Sequence, residues 1–146
     1  MHNETPSHPE ERLAALAAAS APVPTDLVDS VVELLGHPSP EVRDDGAYAT
    51  LARAILEGRL DDQLGLLVEV LAGERGLRCG VAATADAPDR MPILARAFAT
   101  VVLAAAVHRV RTIGGATGDV VTAVVSTVAE PLLSLLRTEE DLRSWH

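Results

Sequence analysis

A chain of 146 residues is long enough to bury one hydrophobic core without disulfides or structural metal sites. Hydrophobic residues make up 48% of the chain but aromatic residues only 2%, so the core must consist mainly of Ala, Leu and Val, which suits closely packed helices. The formal net charge of -9 argues against nucleic-acid binding, because phosphate recognition requires a cationic surface, and it equally disfavours an anionic membrane.

The N-terminal part of the chain predicts a polar tail followed by two helices. Residues 1–8 are predicted to be a disordered tail, and residues 9–146 to form a single all-helical domain. Pro9 and the acids that follow it open the first helix, which the prolines of "APVPT" end. The second helix is predicted from Thr25 to Gly36, because its Leu and Val residues recur at helical spacing on one face.

A third helix is predicted after the link "HPSP", although it contains the unfavourable residues "DDG". Ser39 suits the capping position and Pro40 the first helical position, while Gly58 ends the helix. Gly46 is interpreted as a site where another helix approaches closely, because glycine presents no side chain there.

Two long apolar segments dominate the second half of the chain. A fourth helix, "LDDQLGLLVEVLAGE", precedes a long and potentially functional loop over residues 73–90. The segment "MPILARAFATVVLAAAVHRVRTIG" predicts a central helix covered on several sides. The segment "DVVTAVVSTVAEPLLSLLRTE" predicts a last long helix with a kink or corner at Pro131, and a further helix begins at Thr138. The uncharged runs in both segments are shorter than the ~20 residues that span a bilayer, so both are predicted to be buried core helices.

This order of elements predicts an all-α fold of about six or seven helices. Because most links between consecutive helices are short, neighbouring helices should pair as antiparallel hairpins. We therefore predict a HEAT/ARM-like stack of helical hairpins.

Three blocks of the sequence resemble a known family. The hairpin "VVELLGHPSPEVRDDGAYATLARAI" resembles a HEAT-type repeat, and with "DRMPILARAFATVVLAAAVHR" and "EEDLRSWH" it resembles the successive blocks of DUF2785, a bacterial, HEAT-like helical family whose function is not established. The positions that match are Arg43, Asp44, Asp45, Tyr48, Leu51, Arg96, Phe98, Asp141, Leu142 and Arg143. The chain departs from the family pattern at Ile93 and Ala97, where an aromatic and a serine are usual, and beyond His146, where the family continues into a histidine-containing helical segment.

Asp44 and Asp45 both lead into the apolar face of the predicted third helix. At helical spacing, Asp44 lies on one stripe with Tyr48 and Leu51, and Asp45 lies on the next stripe. At least one carboxylate should be partly buried and paired with a donor such as Arg96, which would fix the register between helices. A ligand-binding or metal-binding role and a solvated face are the alternatives. The candidate binding residues are Arg43, Asp44, Asp45, Tyr48 and Arg96.

Other motifs predict no catalytic residue, cofactor or metal ligand. Cys79 has no histidine near it in sequence and is interpreted as an inert thiol. The histidines lack metal-ligand spacing, and "GGATGD" lacks the spacing of a phosphate loop and is interpreted as a helix linker.

The leading functional hypothesis is a non-enzymatic protein-interaction or scaffold module in the cytoplasm, which would bind a protein partner or self-associate, and neither nucleic acid nor a membrane. The alternative is a small-molecule-binding or enzymatic domain with a polar site around Asp44, Asp45, Tyr48 and Arg96.

Overall fold

The computed structural model describes residues 8–79, 91–113 and 118–138. Every regular element within these ranges is helical, which confirms the predicted all-α class and its approximate number of helices. The α-helices are α1 (Pro9–Ala18), α2 (Thr25–Val32), α3 (Ala49–Leu56), α4 (Leu64–Ala72), α5 (Pro92–Ile113) and α6 (Gly118–Thr138). A 3₁₀ turn (Glu33–Gly36) extends α2, a π-helical segment (Glu41–Tyr48) leads into α3, and a 3₁₀ turn (Asp61–Gln63) precedes α4.

Local sequence signals account for where the first helices begin and end. Pro9 occupies the first turn of α1, where its missing N–H costs no hydrogen bond, and two glutamates follow it. The chain then turns through a proline-containing link in which the peptide bond before Pro22 is cis. The predicted second helix corresponds to α2 with its 3₁₀ extension, and Gly36 ends it as expected.

Helix α5 is the central element, because it packs against the 3₁₀ turn after α2 and against α3, α4 and α6. Its buried stripe consists mostly of small residues: Ala95, Ala99, Val102, Leu103, Ala106 and Val110. The opposite side, which includes Ile93, Val101 and Ala104, is exposed. The prediction that α5 is a central helix covered on several sides is therefore confirmed, and one face of the helix remains open.

The whole of α5 is longer than its uncharged run. At 22 residues it is long and apolar enough, by length and composition, to cross a membrane, and a third of its most apolar stretch is buried within the protein. Arg96, Arg109 and Arg111 lie within this helix.

Helix α6 differs from its prediction as a buried core helix. It packs against α4 and α5 and buries Val128, but Val125 and its neighbours 126 and 127 are exposed. The helix continues through Pro131 as far as Thr138, so the predicted corner at Pro131 does not form. The further helix predicted from Thr138 lies, beyond that residue, outside the described residues.

The loop predicted over residues 73–90 is described only as far as Cys79. Residues 73–79 form successive turns, and Leu77 and Cys79 are buried. The described part of this loop is thus packed onto the core, and residues 80–90 lie outside the described part of the chain.

Candidate functional site

The residues "DDG" lie within the π-helical segment Glu41–Tyr48. Ser39 Oγ donates a 2.6 Å hydrogen bond to the Glu41 carboxylate at its start, and this bond is the main cause that holds the pKa of Glu41 below its usual value. A Cβ atom at Gly46 would lie 2.5 Å from Cδ1 of Leu13 in α1. The predicted close approach at Gly46 is confirmed, and the group that approaches is a leucine side chain.

Arg43 is buried, with 8% of its surface exposed, and it belongs to the same stripe as the buried Ala47 and Leu51. Its Nη1 donates hydrogen bonds to the carbonyl oxygens of His37 and Pro38, at 3.1 and 3.3 Å. A buried guanidinium needs such acceptors, since desolvation of a charge without partners is costly. Arg43 therefore ties the "HPSP" link to the helical segment that follows it.

Arg43 also stacks on an aromatic side chain from α5. Its guanidinium carbon lies 5.1 Å from the ring centroid of Phe98, within the range of a cation–π interaction. Tyr48 meets the same ring edge-on, with centroids 6.0 Å apart and planes 65° apart. We call Arg43, Asp44, Tyr48 and Phe98 the Arg43–Phe98 cluster; it joins the π-helical segment to α5.

The carboxylate of Asp44 pairs with the neighbouring arginine and not with the predicted Arg96. Arg43 Nε and Asp44 Oδ1 are 2.5 Å apart; both atoms are inaccessible to solvent, and their alignment does not meet the criteria for a hydrogen bond. The contact is therefore best described as an ion pair. Arg96 Nη1 donates a 2.8 Å hydrogen bond to the carbonyl oxygen of Cys79 and so anchors the loop after α4.

Asp45 lies apart from the Arg43–Phe98 cluster, on an exposed surface. It lines a polar groove of about 430 Å³ between α1 and α3, which the other four candidate residues do not line. The groove residues are Ala17, Ala18, Ala19, Ser20, Asp45, Ala49, Thr50, Arg53, Glu57 and Arg59. The structure thus brings Arg43, Asp44 and Tyr48 together and places Asp45 elsewhere.

A second groove, of about 360 Å³, lies between α5 and α6 and is mainly apolar. We call it the α5–α6 groove; its residues are Thr100, Leu103, Ala104, Val107, His108, Arg111, Val128 and Leu132. This groove was not predicted from the sequence, because the apolar runs of both helices were assigned to the buried core. The available signal was the polar pair His108 and Arg111, which continues the apolar stripe at helical spacing.

A set of polar contacts that was not predicted from the sequence lies at the corner between α3 and α4. Arg59 Nη1 donates to the carbonyl oxygens of Leu16 and Ala19, at 2.8 and 2.9 Å, and so satisfies orphan acceptors at the end of α1. Gln63 Nε2 donates a 2.8 Å hydrogen bond to the carbonyl oxygen of Val23. These contacts connect residues some 40 positions apart, which helical periodicity alone does not predict.

Asp61 and Arg109 form a two-pronged ion pair at this corner. Arg109 Nε and Nη2 lie 2.9 and 2.6 Å from the two carboxylate oxygens of Asp61. These hydrogen bonds hold the pKa of Asp61 below its usual value and raise that of Arg109. Gly58, with φ of +78°, lies beneath the pair, and a side chain there would overlap the Arg109 guanidinium.

Among the described residues, no three His, Cys, Asp or Glu side chains are placed to hold a metal ion. The polar groups are instead paired with one another or with backbone carbonyls within the Arg43–Phe98 cluster and the α3–α4 corner.

Within the described ranges, the chain is an all-helical domain with a cation–aromatic cluster, a polar groove between α1 and α3, and the α5–α6 groove. No protein-family model, curated protein or solved structure matches the chain. The resemblance to DUF2785 therefore stays a prediction, and its positions Asp141, Leu142 and Arg143 lie outside the described residues.

Proposed function

We propose that the protein is a non-enzymatic interaction or scaffold module that binds a protein partner through the open side of α5 and α6. The observation that carries this proposal is a set of large apolar side chains that are exposed on α5 and α6, the two helices that form the α5–α6 groove. Ile93, Val101, Val125 and Leu133 are each between 41% and 48% exposed. Apolar side chains exposed beside an apolar groove are characteristic of interaction sites.

The placement of the candidate polar residues also supports an interaction module over an enzyme. The carboxylate of Asp44 is occupied by Arg43, and Arg96 is bonded to the Cys79 carbonyl. Asp45 lines a different surface groove. A polar site around Asp44, Asp45, Tyr48 and Arg96 would need these groups to face one substrate, and their present partners argue against that arrangement.

Membership of DUF2785, a HEAT-like arrangement of the hairpins and a cytoplasmic location belong to the same proposal. The motif "HPSPEVRDDGAYATLA" supports the first two, since it spans the link, the π-helical segment and the start of α3. The single cysteine, which is buried and unpaired, is compatible with a reducing compartment.

Affinity capture from extracts of the producing cells tests the interaction. Ala104→Glu places a charge in the α5–α6 groove at an exposed position, so we expect it to release the captured protein. Ala49→Glu places the same charge in the α1–α3 groove and serves as the matched control. If wild type and Ala104→Glu retain the same proteins in equal amounts, binding does not involve the α5–α6 groove and the proposal is wrong.

A further inference from the structure

We infer that the α5–α6 groove receives an amphipathic helix of a partner protein, whose apolar side chains fill the groove and whose acidic residue pairs with Arg111. This inference rests on the proposed function and adds the chemistry of the partner.

The shape of the groove suits a helix. Its α5 wall extends from Thr100 to Arg111, roughly 17 Å at the rise of an α-helix, which is about three helical turns. The apolar lining is contributed by both walls: Leu103, Ala104 and Val107 from α5, and Val128 and Leu132 from α6. Anchors repeated at i, i+3 or i+4, and i+7 on one face of a bound helix match a groove of this length.

The positive charge of Arg111 at one end of the groove favours a partner with a negative charge there. Arg111 is exposed in the last turn of α5, one helical turn from the exposed His108, and makes no hydrogen bond or ion pair with any described residue. Arg109, two positions away, is by contrast occupied by Asp61. Glu130 of α6 does not neutralise the charge of Arg111. It lies two residues after Val128, which lines the groove, so its side chain points to the opposite side of α6.

An acidic helix fits this end better than the other occupants of an apolar groove. A second copy docked groove to groove would set α5 against α5, and α5 contains no acidic residue that could meet Arg111. An extended anionic lipid surface would face the net charge of -9 of the whole chain, whereas one acidic residue of a bound helix would face only Arg111. We therefore assign the acidic group to a partner protein, and the experiment below separates this partner from a second copy and from a lipid surface.

Fluorescence anisotropy with labelled helical peptides tests the inference on the full chain. The probe is a peptide of about three to four turns with leucines at i, i+4, i+7 and i+11 and two glutamates at one end; matched peptides carry glutamine or lysine instead. We expect the glutamate peptide to bind more tightly than the glutamine peptide, and Arg111→Gln to weaken its binding by roughly tenfold. Arg111→Glu should reverse the preference in favour of the lysine peptide, which would identify the contact directly.

The matched control is Arg53→Gln, because Arg53 is exposed on α3 and lines the other groove. It should leave peptide binding unchanged, and thermal melts should show that all variants fold. Equal binding of the three peptides would overturn the inference. Light scattering that shows a dimer dissociated by Ala104→Glu would assign the groove to a second copy and overturn it, as would groove-dependent binding to phosphatidylglycerol vesicles.

The two proposals fail in different ways. If Ala104→Glu releases a captured protein but the glutamate peptide does not bind, the interaction module stands and the acidic helix is wrong. If Ala104→Glu releases nothing, the proposed function itself fails.

Discussion

At the scale of single residues, a buried arginine organises the segment that contains "DDG". Arg43 binds two carbonyl oxygens of the preceding link, stacks on Phe98 and holds the carboxylate of Asp44. Asp45 is exposed on the other side of the segment. Two adjacent carboxylates therefore have different surroundings, because successive helical residues point in different directions.

Asp44→Ala is expected to destabilise the protein by about 1 kcal/mol, because it removes the counter-charge of a buried guanidinium. Asp45→Ala should change the free energy of unfolding by less than about 0.5 kcal/mol, as is usual for exposed positions. Urea unfolding followed by circular dichroism measures both. Equal effects of the two substitutions would show that the Arg43–Asp44 pair contributes nothing to stability.

The inward orientation of the Arg43 side chain could not be predicted from the sequence. Helical spacing correctly placed Tyr48 and Leu51 on the inward side, but an arginine such as Arg43, one residue before Asp44, is normally assigned to solvent. Arg43 is inward because the "HPSP" link presents two carbonyl oxygens and Phe98 presents a ring face at the same place. Both partners are set by tertiary packing, which the order of residues along one helix does not contain.

At the scale of helices, Arg59 of the α3–α4 corner binds the carboxyl end of α1. Arg59 comes directly after Gly58, whose left-handed backbone turns the chain so that the Arg59 side chain reaches the carboxyl end of α1. The last carbonyl groups of a helix have no partner within the helix, so a guanidinium that binds two of them stabilises its end.

Arg59→Ala should therefore loosen α1 more than the rest of the protein. We expect amide hydrogen exchange in residues 9–18 to accelerate by about tenfold, as follows from the loss of charged hydrogen bonds to carbonyl groups. Arg78→Ala, which removes an exposed arginine paired only one turn away with Glu74, is the control. Uniform acceleration in all helices after Arg59→Ala would contradict a local role.

Helix boundaries could be predicted well, and helix surroundings poorly. Proline, glycine and acidic residues are local signals, so the starts of α1 and α2 and the ends at Gly36 and Gly58 follow from them. The π-helical form of the third segment leaves no such signal. The exposed side of α6 was predicted to be buried, because apolar composition reports only that a helix could be buried and not how many neighbours it has.

At the scale of the whole molecule, two carboxyl groups make the free energy of unfolding depend on pH in the acidic range. Glu41 accepts a hydrogen bond from Ser39 and Asp61 accepts two from Arg109, and each pKa is lowered from its ordinary value of 4.5 or 3.8. Between the folded-state and the unfolded-state pKa values of these groups, the folded state therefore binds fewer protons than the unfolded state. The stabilisation is complete above the unfolded-state pKa values and is lost as the pH falls through the lower folded-state values.

The midpoint of urea unfolding should therefore decline below about pH 4.5, and Asp61→Asn should make that decline smaller. Asp62→Asn removes the adjacent carboxyl group, which accepts no hydrogen bond from Arg109, and serves as the control. The prediction fails if Asp61→Asn and wild type lose stability in parallel from pH 5 to pH 3.

The short corner from Gly58 to Gln63 holds three distant parts of the chain at once: the end of α1, the proline-containing link before α2, and α5. Surface corners of this kind are ordinarily the places where a protein tolerates an inserted peptide or new chain termini. Here a few added residues would shift Arg59, Asp61 and Gln63 relative to one another, so that all three could no longer reach their partners. For anyone who engineers tags or circular permutants, this connection is the one to leave intact, even though it lies on the outside of the molecule.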